Sequence, residues 1–180
     1  MSGYYEDAAK LTYALTNWSK QLNSQRHFVI CSGGGPGIME AANKGAVKAG
    51  GKSIGLNISL AFEQVSNKYI TKNLGFEFHY FFMRKFWFLY LAKAFILFPG
   101  GFGTFDELFE VLTLLQTRKV KKALPIVLYG RKYWNEILNF DSLVKHNTIS
   151  KDDLRLFRFA DTPEEAFTYL KKELGKLYNT

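Results

Sequence analysis

The sequence predicts an α/β fold built on a doubly wound parallel sheet. Short apolar runs alternate with longer amphipathic segments along the 180 residues, which is the pattern of repeated βαβ units. Two of these apolar runs lead into a glycine-rich turn and then a helix start, at residues 32–37 and 99–104. The length suits one domain covering residues 1–180.

The elements of the first half follow from local patterns. A polar segment with helical periodicity predicts a helix over about 4–24, and the apolar run Phe28–Cys31 predicts a buried strand over 27–31. A helix over 37–49 ends at Gly50-Gly51, where glycine is the usual residue past a helix. A strand over 52–57 and a loop to about 73 follow.

The second half continues the alternation. Strands are predicted at 74–78, 94–98, 124–128 and 157–159, and helices at 80–92, 104–117, 131–139 and 163–178. The last helix has the clearest start, with Thr162 as cap, Pro163 in the first position and two acidic residues in the first turn.

The second glycine loop, Pro99-Gly100-Gly101-Phe102-Gly103-Thr104, predicts a phosphate site. Glycines let the backbone turn tightly and approach a ligand, and the following helix presents unpaired N–H groups and a positive dipole end. Glu107 stands one helical turn beyond Thr104. An alternative is that Thr104 and Glu107 form a capping box, which is common at helix starts.

The first glycine loop, Ser32-Gly33-Gly34-Gly35-Pro36-Gly37, also follows a strand. Its spacing differs from the dinucleotide fingerprint, so alone it fits a tight turn as well as a ligand loop. Two such loops at strand ends are more specific, because open α/β sheets bind ligands at the carboxyl ends of their strands.

Together these segments resemble the LOG ("lonely guy") family. The resemblance rests on residues 32–43 (SGGGPGIMEAAN), on Met83-Arg84-Lys85, and on residues 99–107 (PGGFGTFDE). It implies a Rossmann-like fold, a homodimer, and hydrolysis of the N-glycosidic bond of nucleoside 5′-monophosphates, including the cytokinin riboside monophosphates. It also implies a first strand that is absent before Tyr4 here. The older label lysine decarboxylase has no support, because no lysine has a plausible pyridoxal-phosphate context.

The resemblance assigns roles to individual residues. Glu107 and Arg84 are expected to be catalytic. Eight residues are expected to bind the substrate or its phosphate: Gly34, Gly35, Glu40, Lys85, Gly100, Gly101, Gly103 and Thr104. The alternative for Arg84 and Lys85 is that both reach solvent from a helix end. Glu40 could simply complement the helix dipole.

Composition excludes several classes of protein. No run approaches the ~20 apolar residues of a membrane span, and the N-terminus lacks the apolar segment of a signal peptide. The single cysteine, Cys31, fits a reducing cytoplasm, and its strand position predicts a buried side chain. The three histidines have no ligand partner at helical spacing, so we expect no metal and no other cofactor.

Two rival functions remain at this point. A nucleotide-binding regulatory protein without turnover would need the glycine loops but neither Glu107 nor Arg84. A nucleic-acid binder is suggested only by the net charge of +8 and the basic cluster 118–122. We expect a nucleoside monophosphate as partner, and neither nucleic acid nor a membrane.

The helix predicted over 80–92 carries large apolar residues nearly all round. Such a helix is normally buried on most faces. A domain of this size would not cover it fully, so the sequence predicts a homodimer with this helix at or near the interface.

Overall fold

The computed structural model describes residues 2–22, 27–60 and 66–178. Its helices are α1 (Ser2–Lys20), α2 (Ile38–Lys48), α3 (Phe81–Leu91), α4 (Phe102–Gln116), α5 (Arg131–Ile137), α6 (Phe140–Lys145) and α7 (Pro163–Tyr178), with a 3-10 helix at Lys151–Leu156. Its strands are β1 (Ile30–Ser32), β2 (Ser53–Ile58), β3 (Gly75–Phe78), β4 (Phe95–Leu97), β5 (Ile126–Tyr129) and β6 (Arg158–Ala160).

The chain divides into two compact units, each with its own parallel sheet. One unit holds the described residues up to Ala92 together with Tyr178, and the other runs from Lys93 to Leu177. The first sheet has the strand order β1-β2-β3 and the second has the order β4-β5-β6. All four strand pairings are parallel, as βαβ connections require. The α/β class is therefore confirmed, and the single domain stays a prediction.

Close packing of α1 on α2 forms much of the first unit's core. Ala8, Leu11 and Trp18 of α1 and Ala41 and Ala46 of α2 are all buried. Gly45 lies at the crossing, where a methyl group would collide with the carbonyl of Ala9 and the hydroxyl of Thr12. The absence of a side chain at Gly45 lets the two helices approach, which places α2 beside the sheet and the first glycine loop.

The second unit is built around β5, whose four residues are all buried. A central parallel strand is covered on both faces and is therefore apolar throughout. Leu108 and Val111 of α4, Trp134 of α5 and Leu170 of α7 complete this core. The ring of Tyr129 stacks on that of Phe98, with centroids 4.4 Å apart. This packing fixes the end of β4, where the second glycine loop begins.

Most element positions agree with the sequence predictions, and two elements were missed. The helix α6 and the 3-10 helix fall in a polar stretch where apolar periodicity is weak. Residues 23–24 of the predicted first helix, and residues 61–65 of the predicted loop, lie outside the described residues.

The prediction that Cys31 is buried is wrong, whereas α3 is only partly covered by the rest of the chain, as its sequence predicts. Cys31 is exposed, because β1 is an edge strand and its alternation turns Ser32 inward instead. None of the residues of α3 is buried. Its exposed apolar residues, together with the preceding Tyr80, are Phe81, Phe82, Met83, Phe86, Trp87, Tyr90 and Leu91.

Two surface properties complete the picture. The basic cluster 118–122 forms the turn after α4, with Arg118, Lys119 and Lys121 exposed. Burial lowers the pKa of Lys122, and the charge of Lys93 lowers it further. In the described ranges, no helix combines the length and the apolar character needed to cross a membrane.

Candidate active site

The second glycine loop joins the end of β4 to the start of α4. The helix begins at Phe102, with Gly101 as its N-cap. The N–H groups of Thr104 and Phe105 both donate to the carbonyl of Gly101, at 2.9 and 3.2 Å. Thr104 is therefore the third residue of the helix. The first N–H groups of α4 consequently face the loop, as an anion site requires.

The three glycines of this loop differ in what surrounds them. A methyl group at Gly100 would collide with the side chain of Thr104. A methyl group at Gly101 or Gly103 would meet no heavy atom within 4 Å. The described structure thus explains the glycine at position 100 by close packing. At positions 101 and 103 it leaves open space, into which a ligand can approach the backbone.

Tyr133 anchors the second glycine loop through a side-chain hydrogen bond. Its hydroxyl donates a hydrogen bond of 2.6 Å to the carbonyl of Gly100. The ring is half-buried and packs edge-on against Trp134, which is fully buried and donates from Nε1 to the carbonyl of Tyr129 at 3.0 Å. The loop is therefore tied to the core of its unit through a rigid pair of aromatic rings.

Glu107 lies half-buried in the second turn of α4. The capping-box alternative is wrong, because Gly101 and not Thr104 is the N-cap. A carboxylate at the sixth position of a helix does not cap it. Glu107 therefore lies in the second turn of the helix that follows the loop, and it does not cap that helix.

The first glycine loop lies between β1 and α2 and bends sharply. Gly34 and Gly37 have φ of 75° and 71°, a region that glycine enters without steric cost. A methyl group at Gly34 would also collide with the side-chain amide of Asn57 on β2. At Gly33 it would lie 2.6 Å from Sδ of Met39. Gly34 is thus required by the fold itself, whereas at Gly33 the methyl group would meet only the movable end of the Met39 side chain.

Arg84 lies at this first loop. Its Nη1 is 3.8 Å from the position that a β-carbon at Gly33 would occupy. Its guanidinium sits over the rings of Phe81 and Phe88, 5.4 and 5.7 Å from their centroids, and its Nε is buried. The side chain therefore packs on these aromatic rings beside the loop and does not extend freely into solvent.

Lys85 and Glu40 are less closely tied to the loop. Lys85 is half-buried on α3, but adjacent helix residues do not share a face, so it points away from Arg84. Glu40 accepts a hydrogen bond from the hydroxyl of Tyr5 at 3.3 Å. Lys44 donates to the same hydroxyl at 3.5 Å, which is the main reason that the pKa of Lys44 is raised. Glu40 thus joins a cluster between α1 and α2.

The structure brings the predicted residues together in two groups. Gly34, Gly35 and Arg84 lie in the first unit, and the residues from Gly100 to Glu107 lie in the second. Across 2–22, 27–60 and 66–178, no three His, Cys, Asp or Glu side chains form a group that could hold a metal ion.

Sequence reasoning missed two residues that anchor the loops. Tyr133 holds the second loop, and Asn67 donates to the carbonyls of Gly34 and Gly35 at 3.0 and 3.1 Å. Asn67 lies in a turn-prone stretch far from every motif, and Tyr133 sits in a helix after β5. Neither has a local signal beyond its residue type.

Comparison with known sequences gives a consistent picture. The family model described as "Possible lysine decarboxylase" matches residues 39–170. The probable cytokinin riboside 5′-monophosphate phosphoribohydrolase LOG4 of Oryza sativa subsp. japonica is 28% identical over 159 residues, which cover 87% of this chain and 68% of the relative. The pyrimidine/purine nucleotide 5′-monophosphate nucleosidase of Escherichia coli K12 is 29% identical over 163 residues, which cover 83% of this chain.

The chain spans only part of most of these relatives. It covers 35% of the Escherichia coli nucleosidase and 38% of the rice phosphoribohydrolase LOGL3, to which it is 35% identical over 82 residues, or 45% of this chain.

Solved structures share the fold at low identity. The X-ray structure of TM1055 has a TM-score of 0.66 at 21% identity and covers 95% of this chain and 89% of its own. The molybdenum cofactor carrier protein of Chlamydomonas reinhardtii has a TM-score of 0.65 at 17% identity and covers 97% of this chain and 90% of its own. Because the family model spans most of the chain, the chain belongs to this family, the LOG family that its motifs resemble.

Proposed function

We propose that the protein hydrolyses the N-glycosidic bond of nucleoside 5′-monophosphates. In this reaction the bond between C1′ of the ribose and the base nitrogen breaks. The oxygen of a water molecule bonds to C1′, and the base leaves with a proton. The products are the free base and ribose 5-phosphate. The substrate is AMP or an N6-modified AMP.

The observation that carries this proposal is the open face at Gly101 and Gly103. A methyl group at either position would meet nothing within 4 Å, at the amino end of a 15-residue helix. Packing does not account for these glycines, whereas close approach of a phosphate to the backbone does. A 5′-phosphate held there fixes the position of the sugar, and positioning supplies much of an enzyme's rate enhancement.

Glu107 is the group best placed to act on that sugar. Breaking an N-glycosidic bond builds positive charge on the ribose, as in other glycoside hydrolysis. A carboxylate in the second turn of α4 stabilises this charge and accepts a proton from the attacking water. Its half-buried position strengthens the electrostatic effect, because water screens it less.

Arg84 contributes a partly buried positive charge at the first loop. The rings of Phe81 and Phe88 hold the guanidinium beside Gly33. We infer that Arg84 orients the nucleotide and helps the base to leave by raising its acidity, because a nearby positive charge stabilises the electron density that collects on the departing base. We further infer that Gly34, Gly35 and the neighbouring backbone contact the nucleotide. Lys85 and Glu40 are candidates for further contacts with it.

The names of the relatives support the substrate class. One is named for cytokinin riboside 5′-monophosphates and another for purine and pyrimidine nucleotide 5′-monophosphates. The feature that these substrates share is the nucleoside 5′-monophosphate. We therefore infer that the 5′-phosphate is the main determinant of recognition.

A comparison of AMP with adenosine tests the proposal. Release of adenine and ribose 5-phosphate is followed by chromatography with each compound at equal concentration. We expect turnover of AMP and little or none of adenosine, because only AMP engages the α4 loop. Equal rates would show that the loop contributes nothing. Binding of AMP without any release of adenine would instead favour the non-catalytic regulatory protein.

We further propose that two copies of the chain associate through α3. Tyr80, Phe82, Tyr90 and Leu91 are each 60–66% exposed, and the helix has no buried residue. A contiguous apolar surface of this kind is unusual on a monomer and typical of an interaction site. The helix also carries Arg84, so association there would immobilise the residue that faces the first loop.

A further inference from the structure

Asn67 makes an unusual set of hydrogen bonds to the first glycine loop. Its backbone N–H donates to the carbonyl of Gly34 at 2.8 Å. Its side-chain Nδ2 lies 3.0 Å from the same carbonyl oxygen and 3.1 Å from that of Gly35. One residue therefore binds two consecutive loop carbonyls from 33 positions further along the chain.

The orientation of this side-chain amide is fixed from its other end. The backbone N–H of Tyr69 donates to Oδ1 of Asn67 at 3.1 Å. Only the amide oxygen accepts such a bond, so Nδ2 must face the loop. Nδ2 also donates to Oδ1 of Asn43 at 2.9 Å.

Asn43 extends the contact into the core. It is fully buried, and its Oδ1 also accepts from the hydroxyl of Ser32 at 2.6 Å. Its Nδ2 donates to the hydroxyl of Ser53 and, at 3.1 Å, to the carbonyl of Ile54. Buried amides with all their groups satisfied are rigid, because any rotation would leave a polar atom unpaired.

The same network also holds the other side of Gly34. The N–H of Gly34 donates to the hydroxyl of Ser32 at 3.0 Å, while its carbonyl accepts from Asn67. Both backbone polar groups of Gly34, its N–H and its carbonyl, are thus hydrogen-bonded, and its φ is 75°. The loop cannot turn its peptide units without breaking this network.

Fixing a carbonyl also fixes the opposite side of its peptide unit. The described peptide bonds are all trans, so the C=O and N–H of each unit point in opposite directions. The Gly34 carbonyl faces Asn67, and the N–H of Gly35 therefore points away from Asn67. That N–H is the donor that this peptide unit can offer to a ligand.

We propose that Asn67 is a positioning residue for nucleotide binding, because its side-chain amide, together with its own backbone N–H, holds the carbonyls of Gly34 and Gly35 and so sets the direction of the Gly35 N–H. This inference rests on the proposed function for the identity of the ligand. It assigns a role to a residue outside all the sequence motifs. Asn67 acts through the loop and is not a catalytic residue.

The test compares two isosteric or near-isosteric changes at opposite ends of the network. Asn67→Asp keeps the oxygen that accepts from Tyr69 but turns a second oxygen towards the carbonyls of Gly34 and Gly35. Ser53→Ala removes a hydroxyl that binds Asn43 at the first residue of β2, away from the loop. Both variants damage a buried network, so both should lower the melting temperature, but only the first removes hydrogen bonds made directly to the loop. Asn67→Ala is a second variant that removes the donor without adding charge.

Each variant is measured for AMP affinity by calorimetry, for kcat and KM of AMP hydrolysis, and for thermal stability. For Asn67→Asp and Asn67→Ala we expect the Kd and KM for AMP to rise by about tenfold or more, the usual scale for loss of a supporting contact behind a binding group. Ser53→Ala should keep Kd and KM within about twofold of the wild type, because Asn43 keeps its hydrogen bonds to the carbonyl of Ile54, the hydroxyl of Ser32 and Nδ2 of Asn67 without the Ser53 hydroxyl.

The outcomes separate this inference from the proposed function. If the wild type binds AMP without hydrolysing it and the Asn67 variants bind more weakly, the proposed function fails and the positioning role stands. If the wild type hydrolyses AMP and the Asn67 variants match Ser53→Ala in Kd and KM, the positioning role is overturned. A wild type that does not bind AMP overturns both.

Discussion

Gly103 is the residue at which stability and function are most clearly opposed. It occupies the second position of α4, and a methyl group there would meet no heavy atom within 4 Å. Glycine inside a helix costs about 0.5–1 kcal/mol relative to alanine. A residue that weakens the helix without any packing reason is expected where a ligand approaches the backbone.

The variant Gly103→Ala should therefore be more stable and less active. We expect an increase of about 0.5–1 kcal/mol in the free energy of unfolding, because the unfolded chain loses conformational freedom. We also expect kcat/KM for AMP to fall by about tenfold or more, since the added methyl group displaces the phosphate. Denaturant unfolding and steady-state kinetics give the two values. An active, stabilised variant would show that no phosphate binds close to Gly103.

Glu107 can be tested without disturbing the start of its helix. Since Gly101 is the N-cap, Glu107→Gln removes a charge but no cap. We expect kcat for AMP to fall by about 100-fold or more, as for other positioned catalytic groups. The melting temperature should change little. A matched control is Asp106→Asn, which removes a carboxylate from the neighbouring, exposed position. Equal effects of the two changes would argue against a specific role for Glu107.

At the scale of elements, the 3-10 helix at Lys151–Leu156 shows how a polar stretch becomes ordered. Ser150 and Asp153 form a reciprocal capping box. Oδ2 of Asp153 also accepts from Nε2 of Gln116 on α4 at 2.8 Å. A single carboxylate thus caps one element and ties it to another. The hydrogen bond from Gln116 is the main cause that lowers the pKa of Asp153, followed by the N–H of Ser150.

This lowered pKa predicts the pH range in which Asp153 contributes to stability. The folded state favours the charged carboxylate more than the unfolded state does, so the contribution is present above the unfolded pKa of about 3.9. It is lost as the pH falls through the lower, folded pKa. Because the carboxylate is solvent-accessible, we expect only about 0.5 kcal/mol.

The measurement is the melting temperature of Asp153→Asn and the wild type from pH 7 down to pH 2. The wild type should be more stable by ~1–2 °C at pH 7. The difference should shrink below the ordinary carboxyl pKa of about 3.9 and vanish only once the pH is below the lowered, folded pKa of Asp153. Asp152→Asn is the control, since Asp152 pairs only with Arg155 at the surface, at 3.3 Å. A difference that persists unchanged at pH 2 would contradict this assignment.

At the scale of the whole molecule, the exposed face of α3 bears on the oligomeric state. Its rings contact one another, with Phe86 stacked on Tyr90 at 5.4 Å and Trp87 edge-on to both. This arrangement forms a preformed aromatic patch. Preformed aromatic side chains are common at the centres of protein interfaces, because their burial costs little conformational entropy.

We expect sedimentation across a concentration series to show a species of twice the 20.7 kDa chain mass. The double variant Phe82→Glu, Tyr90→Glu should shift the protein towards monomer, because burying unpaired carboxylates in an apolar interface is strongly unfavourable. The control Phe76→Glu changes an exposed aromatic residue on β3, outside α3. A wild type that stays monomeric at tens of micromolar would contradict the proposed dimer.

The sequence by itself determined the class of the fold and the location of both glycine loops. Those features are encoded locally, because apolar periodicity, glycine turns and capping residues act over a few neighbouring positions. The Thr162-Pro163 start of α7 is one example, and its predicted cap is present, with the N–H of Glu165 donating to the hydroxyl of Thr162 at 3.2 Å. The prediction that Cys31 is buried is wrong, because a strand lies at the edge of a sheet through the arrangement of the neighbouring strands and not through its own residues.

The tertiary structure decided which residues support those loops. Asn67 donates a hydrogen bond to Gly34 of the first loop, which lies 33 positions earlier in the sequence. Tyr133 donates to Gly100 of the second loop, also 33 positions earlier. No local pattern marks either residue, since hydrogen bonds between distant segments depend on how the strands and helices pack. The structure also separated glycines that packing requires, such as Gly34 and Gly100, from Gly101 and Gly103, which face open space. The sequence does not distinguish these four glycines, because a residue without a side chain gives no indication of which atoms pack beside it.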